Sequence, residues 1–556
     1  PNTDIHTFMY PTPETVEARN KKQPQQPIIL CEYSHAMGNS NGGLKDYWDL
    51  FYRDGNMQGA FVWDWVDQGM RQPVPEQYRD SSGRKTFFAY GGWWENPRGV
   101  RNDNNFCMNG LISSDRIPHP GLHALKYAYR YIHASAVDAA AGKLKIKNWH
   151  DFVNAADVAA GEWEVTANGK RIASGLLPAL DLKPREEKEF LIALPKIDAV
   201  PGAEYFLNVC FRMSRASAWA PKGHLVSWEQ WKLPLSAAKP AMKTGVAELK
   251  MIQGNAGELN LSGPDFAMTF DTNQGTIGSY YYQGKRLLER GPKPDFWRAM
   301  TGNDIGAWKS MKQRAWRDAS LDWTVWKAAS AQWSLKSIEQ KRVDSSTVRI
   351  DVTAAVAEAG ATVAVAYTIH GGGDIIVETS YAPGVKKVSW MPRFGTELIV
   401  APGLENLSWY GRGPVETYID RDFEMVGEYS TSVAADWVDY SRPQENGNKV
   451  DVRWVALTGG DGTGLLAIGE APLSIAARHY SKDQFEGASY THEMTPKAQV
   501  FLNLDMRQMG VGGIDSWSPN ALPRVPYRIA PDQPYKFRYR LSPVEGDFAG
   551  KTRESF

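Results

Sequence analysis

The stretch Pro27-Ile-Ile-Leu-Cys-Glu32-Tyr-Ser-His35-Ala-Met-Gly-Asn39-Ser40-Asn-Gly-Gly43 decides how the first part of this 556-residue chain is read. Ile28 to Cys31 form an apolar run too short for a helix, which predicts a strand buried on both faces. Cys31 then reads as a packed thiol. Glu32 follows at once. Burying a carboxylate without a partner costs several kcal/mol, so the strand must open there onto something polar. Asn39 to Gly43 carry turn and helix-start signals. Leu44, Tyr47, Trp48 and Phe51 then recur at i, i+3, i+4 and i+7, until Arg53-Asp-Gly55 stops the helix. Gly59-Ala-Phe-Val-Trp63-Asp64-Trp65 is the next apolar run. The unit is βαβ, with Glu32 at the carboxyl end of one strand and Trp63 near that of the next. Parallel α/β folds bind ligands and do chemistry at that edge.

Working outward, His6-Thr-Phe-Met-Tyr10 reads as a strand end before a polar, proline-rich loop. Gln68 to Ser114 is a long excursion rich in Gly, Asn, Arg and Trp. Pro118-His-Pro120 opens a helix carrying Leu122, Leu125, Tyr129 and Ile132, with Pro120 in its first turn. A closed eight-stranded barrel takes about 250 residues, and only three strand-helix alternations occur before the pattern changes near Ala134. Residues 1–133 therefore read as the last strands of a partial (β/α)8 TIM barrel whose beginning lies elsewhere. Short alternating strands follow, such as Lys143–Lys147, Glu162–Thr166 before the hairpin pair Asn168-Gly169, and Tyr205–Cys210. They predict an immunoglobulin-like β-sandwich over 134–235. Pro234–Ala241 reads as a linker within the start of the third unit. Residues 236–556 read as one large antiparallel β-sandwich with a single helical interruption, Ile305 to Ala319. The fold class is multidomain.

Lys+Arg and Asp+Glu both number 63. That balance excludes nucleic acid and anionic membranes as partners, since both need a basic excess. No run approaches 18 apolar residues, so no transmembrane helix is expected, and no signal peptide is visible. Three cysteines far apart imply no disulfide framework. The 21 Trp and 24 Tyr suit sugar faces, and equally a large sandwich core. Glu32 is the candidate nucleophile or acid. His35 lacks a second His or Cys at metal-ligand spacing and reads as a hydrogen-bonding residue.

Pro27–Ser40 together with Gly59-Ala-Phe-Val-Trp-Asp-Trp-Val-Asp-Gln68 closely resembles the bacterial β-galactosidases of glycoside hydrolase family 2. Asn105-Phe-Cys-Met-Asn-Gly-Leu111, Trp409-Tyr-Gly-Arg-Gly-Pro-Val-Glu-Thr-Tyr418 and Met509-Gly-Val-Gly-Gly-Ile-Asp-Ser-Trp-Ser-Pro519 match in the same order. The resemblance implies a retaining hydrolysis of terminal β-D-galactose residues, as in lactose, through a covalent galactosyl ester on Glu32. It implies that Tyr10 hydrogen-bonds this nucleophile, that His35 binds galactose hydroxyls, and that Trp63 floors the sugar site. Trp517 would reach back from the sandwich as an aromatic platform. Phe106 (backbone carbonyl) and Asn109 (side-chain oxygen) match sodium ligands, with the ion and Asn109 serving the sugar, and Asn102 matches a magnesium position; Na⁺ and Mg²⁺ are the implied cofactors. Arg298 to Gly306 resembles a mobile loop that folds toward the site. The loop Gly91–Arg98 departs from the family, which has an acidic residue where Trp93 stands.

The segment bearing the family's acid/base Glu does not occur here. Asp64 and Asp67 are the nearby carboxyls, and strand alternation predicts that Asp64 faces away from Trp63. The missing half of the barrel, from the same polypeptide or a partner chain, is thus an implied partner. A dimer or tetramer and a cytoplasmic location follow by analogy, with periplasmic or secreted alternatives open. The competing reading is a non-catalytic carbohydrate-binding or complementing module.

Overall fold

The computed structural model of the chain describes residues 3–95, 102–243, 247–255, 257–315 and 317–555. The apolar run at Ile28 forms strand β2 (Ile28–Tyr33), which lies between β1 (His6–Met9) and β3 (Met57–Val62) in a parallel three-stranded sheet. Helices α1 (Pro13–Lys22) and α2 (Leu44–Arg53) accompany it. Ile28, Leu30 and Tyr33 are buried against Val16, Leu44, Tyr47 and Phe51. Each such side chain contributes about 1.5–3 kcal/mol by leaving water.

The other face of this sheet is open, and here the structure corrects the sequence reading. Cys31 is exposed rather than packed, and Met9 and Phe61 beside it are 59% and 65% exposed. Alternation along the strands sends these residues to the side that no helix covers.

A hairpin, β4 (Met70–Pro73) and β5 (Thr86–Ala89), flanks the short helix α3 (Glu76–Ser82). Trp93, in the loop that follows, packs edge-on to Phe87 and Tyr490, so it is an interior aromatic and no ion ligand. Residues 96–98 of that loop lie outside the described residues. Helix α4 (Pro120–Ala128) is shorter than expected. Tyr129 caps it, its hydroxyl drawn to Tyr33 at 3.1 Å and to the Ala60 carbonyl at 3.2 Å, and Ile132 opens the next strand.

Strands β6 (Ile132–Asp138), β7 (Lys143–Asn148), β8 (Ala159–Ala167), β9 (Lys170–Leu176), β10 (Glu187–Leu191), β11 (Tyr205–Met213) and β12 (Leu225–Lys232) build two sheets, β10-β7-β6 and β12-β11-β8-β9. Leu144, Ile146, Val165, Leu207 and Phe211 fill the layer between them.

From Lys250 to Glu545, sixteen described strands join one curled antiparallel sheet. Trp323, Trp326 and Trp409 are almost fully buried there, so part of the tryptophan excess is core. Where a single helical interruption over Ile305–Ala319 is expected, the described residues of this unit hold three α-helices, Gly302–Ala315, Val325–Ala331 and Lys482–Gly487. The first starts early because Thr301 and Asp304 cap each other. The Thr301 N–H donates to Asp304 Oδ2 at 3.0 Å, and the Asp304 N–H donates to Thr301 Oγ1 at 3.1 Å. Among the described residues no helix is long and apolar enough to cross a membrane.

Candidate active site

Glu32 ends β2 at its carboxyl edge, paired with Met9 of β1. The Tyr10 N–H donates to the Glu32 carbonyl at 2.8 Å, and Tyr10 itself sits at φ 51°. That left-handed conformation costs a non-glycine residue about 1–3 kcal/mol. It accompanies a hydrogen bond between the Tyr10 phenol and the Glu32 carboxylate. Burial first, and then this carboxylate, push the phenol well above the ordinary tyrosine range. The phenol therefore stays protonated and donates to Glu32.

Beyond Glu32 the chain turns at Ser34 and enters the loop 35–43, almost all of it buried. His35 stands among three rings. Phe106 lies 5.1 Å away, Trp517 meets it edge-on at 5.4 Å, and Tyr10 edge-on at 5.9 Å. Tyr10 and Trp517 also meet edge-on, at 4.8 Å. Burial pulls the His35 pKa down to about 4, opposed by the Asp64 charge, so the ring is neutral near pH 7. The Asp64 charge acts on His35 and Tyr10. β3 ends at Val62, so the period of two no longer governs residue 64. Asp64 accepts from Gln68 Nε2 at 2.8 Å and from the Trp65 N–H. Trp63 is 42% exposed at the edge of this group.

Asn109 is buried, with Nδ2 3.4 Å from His35 Nε2 and with Oδ1 lacking any hydrogen-bond partner. Its turn is clamped from below. Gly110 N–H donates to Asp67 Oδ1 at 2.7 Å, and His119 Nδ1 lies 3.0 Å from the Gly110 carbonyl. A side chain at Gly110 is impossible, since its Cβ would lie 2.1 Å from the Asp67 nitrogen. Burial raises Asp67 to about 7, although the Gly110 N–H works against the rise. Asp67 is therefore structural, supporting the turn that presents Phe106 and Asn109.

The buried, unpartnered Asn109 oxygen fits a hard cation that takes oxygen ligands. Asn102 Oδ1 accepts from the Asn104 N–H at 3.0 Å, which leaves its second lone pair for another partner.

The structure brings together Tyr10, Glu32, His35, Phe106, Asn109 and Trp517. It also adds residues that sequence reasoning missed. Arg421 Nη2 donates to Asn39 Oδ1 at 2.9 Å and its Nη1 to the Ser40 carbonyl. Asn39 Nδ2 donates to Tyr418 Oη at 2.8 Å and to the Glu445 carbonyl at 2.7 Å. Gly42 and Gly43 N–H groups donate to the carbonyls of Gly512 and Asp420. Ser516 and Asn303 complete the contact with His35. The blocks around Tyr418 and Gly510, conspicuous in the sequence, are the grip of the sandwich on the Glu32 loop. The 298–306 segment, expected to be mobile, is packed into the same grip. Arg298 is buried and paired in two-pronged fashion with Asp304, at 3.1 and 3.0 Å.

A family model described as the TIM barrel domain of glycosyl hydrolases family 2 matches residues 2–134. One described as β-galactosidase domain 4 matches 144–234, and one described as β-galactosidase small chain matches 262–541. Relatives include the β-galactosidase of Priestia megaterium, 34% identical over 98% of this chain and 50% of that protein. Those of Psychromonas ingrahamii (31%, 89% of this chain and 47% of that protein) and Vibrio vulnificus strain YJ016 (30%, 93% and 49%) are similar. The chain spans about half the length of the curated relatives it matches.

Proposed function

Since the chain belongs to glycoside hydrolase family 2, among its β-galactosidases, we propose that it builds the galactosyl-holding side of a retaining β-galactosidase active site, with Glu32 as nucleophile. The observation that carries the reading is the placement of Glu32. It ends the central parallel strand, is hydrogen-bonded by a phenol that keeps its proton, and stands beside a ring cluster fed by the distant sandwich. In this mechanism the Glu32 carboxylate attacks the anomeric carbon as the bond to the leaving oxygen breaks. A carboxylic acid about 5–5.5 Å away gives that oxygen its proton. Water then cleaves the ester, returning a proton to the same group. Tyr10 orients the attacking oxygen. Neutral His35 accepts one hydrogen bond from a sugar hydroxyl, which takes the place of the 3.4 Å contact with Asn109 at its one acceptor nitrogen, and the faces of Trp63 and Trp517 meet the apolar C–H faces of the sugar.

The acid/base is assigned to a segment outside this chain. Asp64 and Asp515 are the carboxylates that act electrostatically on Tyr10 besides Glu32. Asp64 is engaged as above, and Asp515 accepts from the N–H groups of Trp517 and Ser518 at 3.1 and 3.0 Å. The open sheet face bearing Met9, Cys31 and Phe61 is the surface that the remaining barrel strands would cover, whether from the same polypeptide or a partner chain.

A bound sodium ion would be held by Asn109 Oδ1 and the Phe106 carbonyl and would supply a positive charge for a sugar hydroxyl oxygen. Replacing Na⁺ with choline at constant ionic strength should raise KM for a nitrophenyl galactoside several-fold. An unchanged KM would remove Asn109 and Phe106 from that role.

The direct test is trapping. A 2-deoxy-2-fluoro-galactoside with a good leaving group, applied to the chain assembled with its completing barrel half, should label one site, on the peptide containing Glu32. A label on another residue would overturn the assignment. A folded assembly that binds galactosides but never takes the label would favour a non-catalytic carbohydrate-binding module.

A further inference from the structure

We propose that the sandwich loop carrying Ser516, with Asn303, fixes the tautomer of His35 and through it the orientation of the Asn109 amide, making Ser516 and Asn303 positioning residues for the pocket. The polarity of the chain follows from one group that can only accept, the Val511 carbonyl. Asn303 Nδ2 donates to it at 3.1 Å, which fixes the amide and turns Oδ1 toward Ser516. Asn303 Oδ1 can only accept, so the Ser516 hydroxyl donates to it, at 2.7 Å. A hydroxyl has one proton. Ser516 Oγ, 2.7 Å from His35 Nδ1, therefore accepts there, and the proton of the neutral imidazole sits on Nδ1. Nε2 is left as an acceptor facing Asn109, 3.4 Å away, so the Asn109 atom turned toward it is Nδ2. Asn109 Oδ1 then points elsewhere, which agrees with its standing buried and unpartnered.

Ser40 closes the circuit. Its hydroxyl donates to the His35 carbonyl at 2.6 Å and accepts from Asn303 Nδ2 at 3.0 Å. The helix bearing Asn303 can come this close because residue 306 is glycine. A Cβ there would lie 1.8 Å from the Ser516 carbonyl oxygen. A backbone carbonyl in the sandwich thus dictates, through Asn303 and Ser516, that Nε2 is the one ring nitrogen of His35 able to accept. It also dictates that Asn109 offers an oxygen outward.

The relay stands on this chain alone, while its bearing on sugar binding rests on the proposed galactosyl pocket. Long-range ¹H–¹⁵N correlation of the ¹⁵N-labelled chain at neutral pH, with His35 assigned from His35→Gln, should show a protonated, pyrrole-type Nδ1 and a pyridine-type Nε2. A pyridine-type Nδ1 in the unmutated chain overturns the proposal without any variant. Ser516→Ala should shift the ring toward the other tautomer, and Ser516→Thr, which keeps the hydroxyl, should restore the original one. An unchanged spectrum in folded Ser516→Ala also overturns it. In the assembled enzyme Ser516→Ala should raise KM about tenfold with a smaller change in kcat, again rescued by Thr. A switched tautomer with unchanged KM would leave the relay standing and overturn the placement of the sugar against His35.

Discussion

Glu32→Gln should lower kcat by at least about 10³-fold while galactoside binding changes little. The amide is nearly the same size as the carboxyl, and its oxygen still accepts from the protonated Tyr10 phenol, so the pocket keeps its shape. The amide lacks the negative oxygen that forms the bond to the anomeric carbon, and losing a nucleophile removes most of the transition-state stabilisation that a set of catalytic groups supplies together. The measurement is single-turnover hydrolysis of a nitrophenyl galactoside by the assembled enzyme, with binding of a galactose analogue followed separately. Retention of activity within tenfold of the unmutated enzyme would take the nucleophile away from position 32. A matching loss of binding would mean that the substitution had collapsed the site, and comparing the melting transitions of the two proteins separates that case.

Arg421→Met should destabilise the junction between the sandwich and the Glu32 loop by about 3–5 kcal/mol, the cost of removing one partner from a buried ion pair. Arg421 is 2% exposed. Its Nη2 donates to Glu416 Oε1 at 2.6 Å and to Asn39 Oδ1, and its Nη1 to the Ser40 carbonyl. Methionine fills the volume but strands these acceptors. Glu416 keeps Tyr440 Oη at 2.5 Å and the Gly447 N–H at 2.7 Å, which places the loss short of the full price of an isolated buried charge. Thermal unfolding should begin more than about 5 °C lower, by the usual scaling of ΔTm with ΔΔG. Amide exchange in residues 35–43 should rise most. The exposed pair Lys387–Asp318, at 3.1 Å, gives the contrast. Lys387→Met should leave the unfolding transition nearly unchanged, because water screens such a pair. Equal effects from the two substitutions would mean that the grip on residues 39–43 adds nothing to stability.

These two expectations join parts of the chain far apart in sequence. Glu32 and the sandwich residue Ser516 stand at one site because the loop between β2 and α2 is anchored on the sandwich. Its anchors are carbonyls and side chains from residues 416–421, 444–445 and 509–516. The terminal domain is therefore part of the site's wall, and a substitution in either partner should be felt in the other.

The order of amino acids already held the strand at Ile28, the helix from Leu44, the three parallel strands and the succession of β-rich units, because these depend on local hydrophobic period and on turn residues. It also determined which carboxylate closes the central strand, since an ionisable group directly after an apolar run has few places to go. Tertiary structure alone decided the rest. Cys31 is exposed because the covering of a sheet face is not written in local period. Helix Gly302–Ala315 begins with a reciprocal cap three residues before the expected Ile305 and packs its first turn against Ser516. The proton on His35 depends on acceptors some 270 to 480 residues away, and one-directional hydrogen bonds acquire their polarity only when folding brings such groups within about 3 Å of each other.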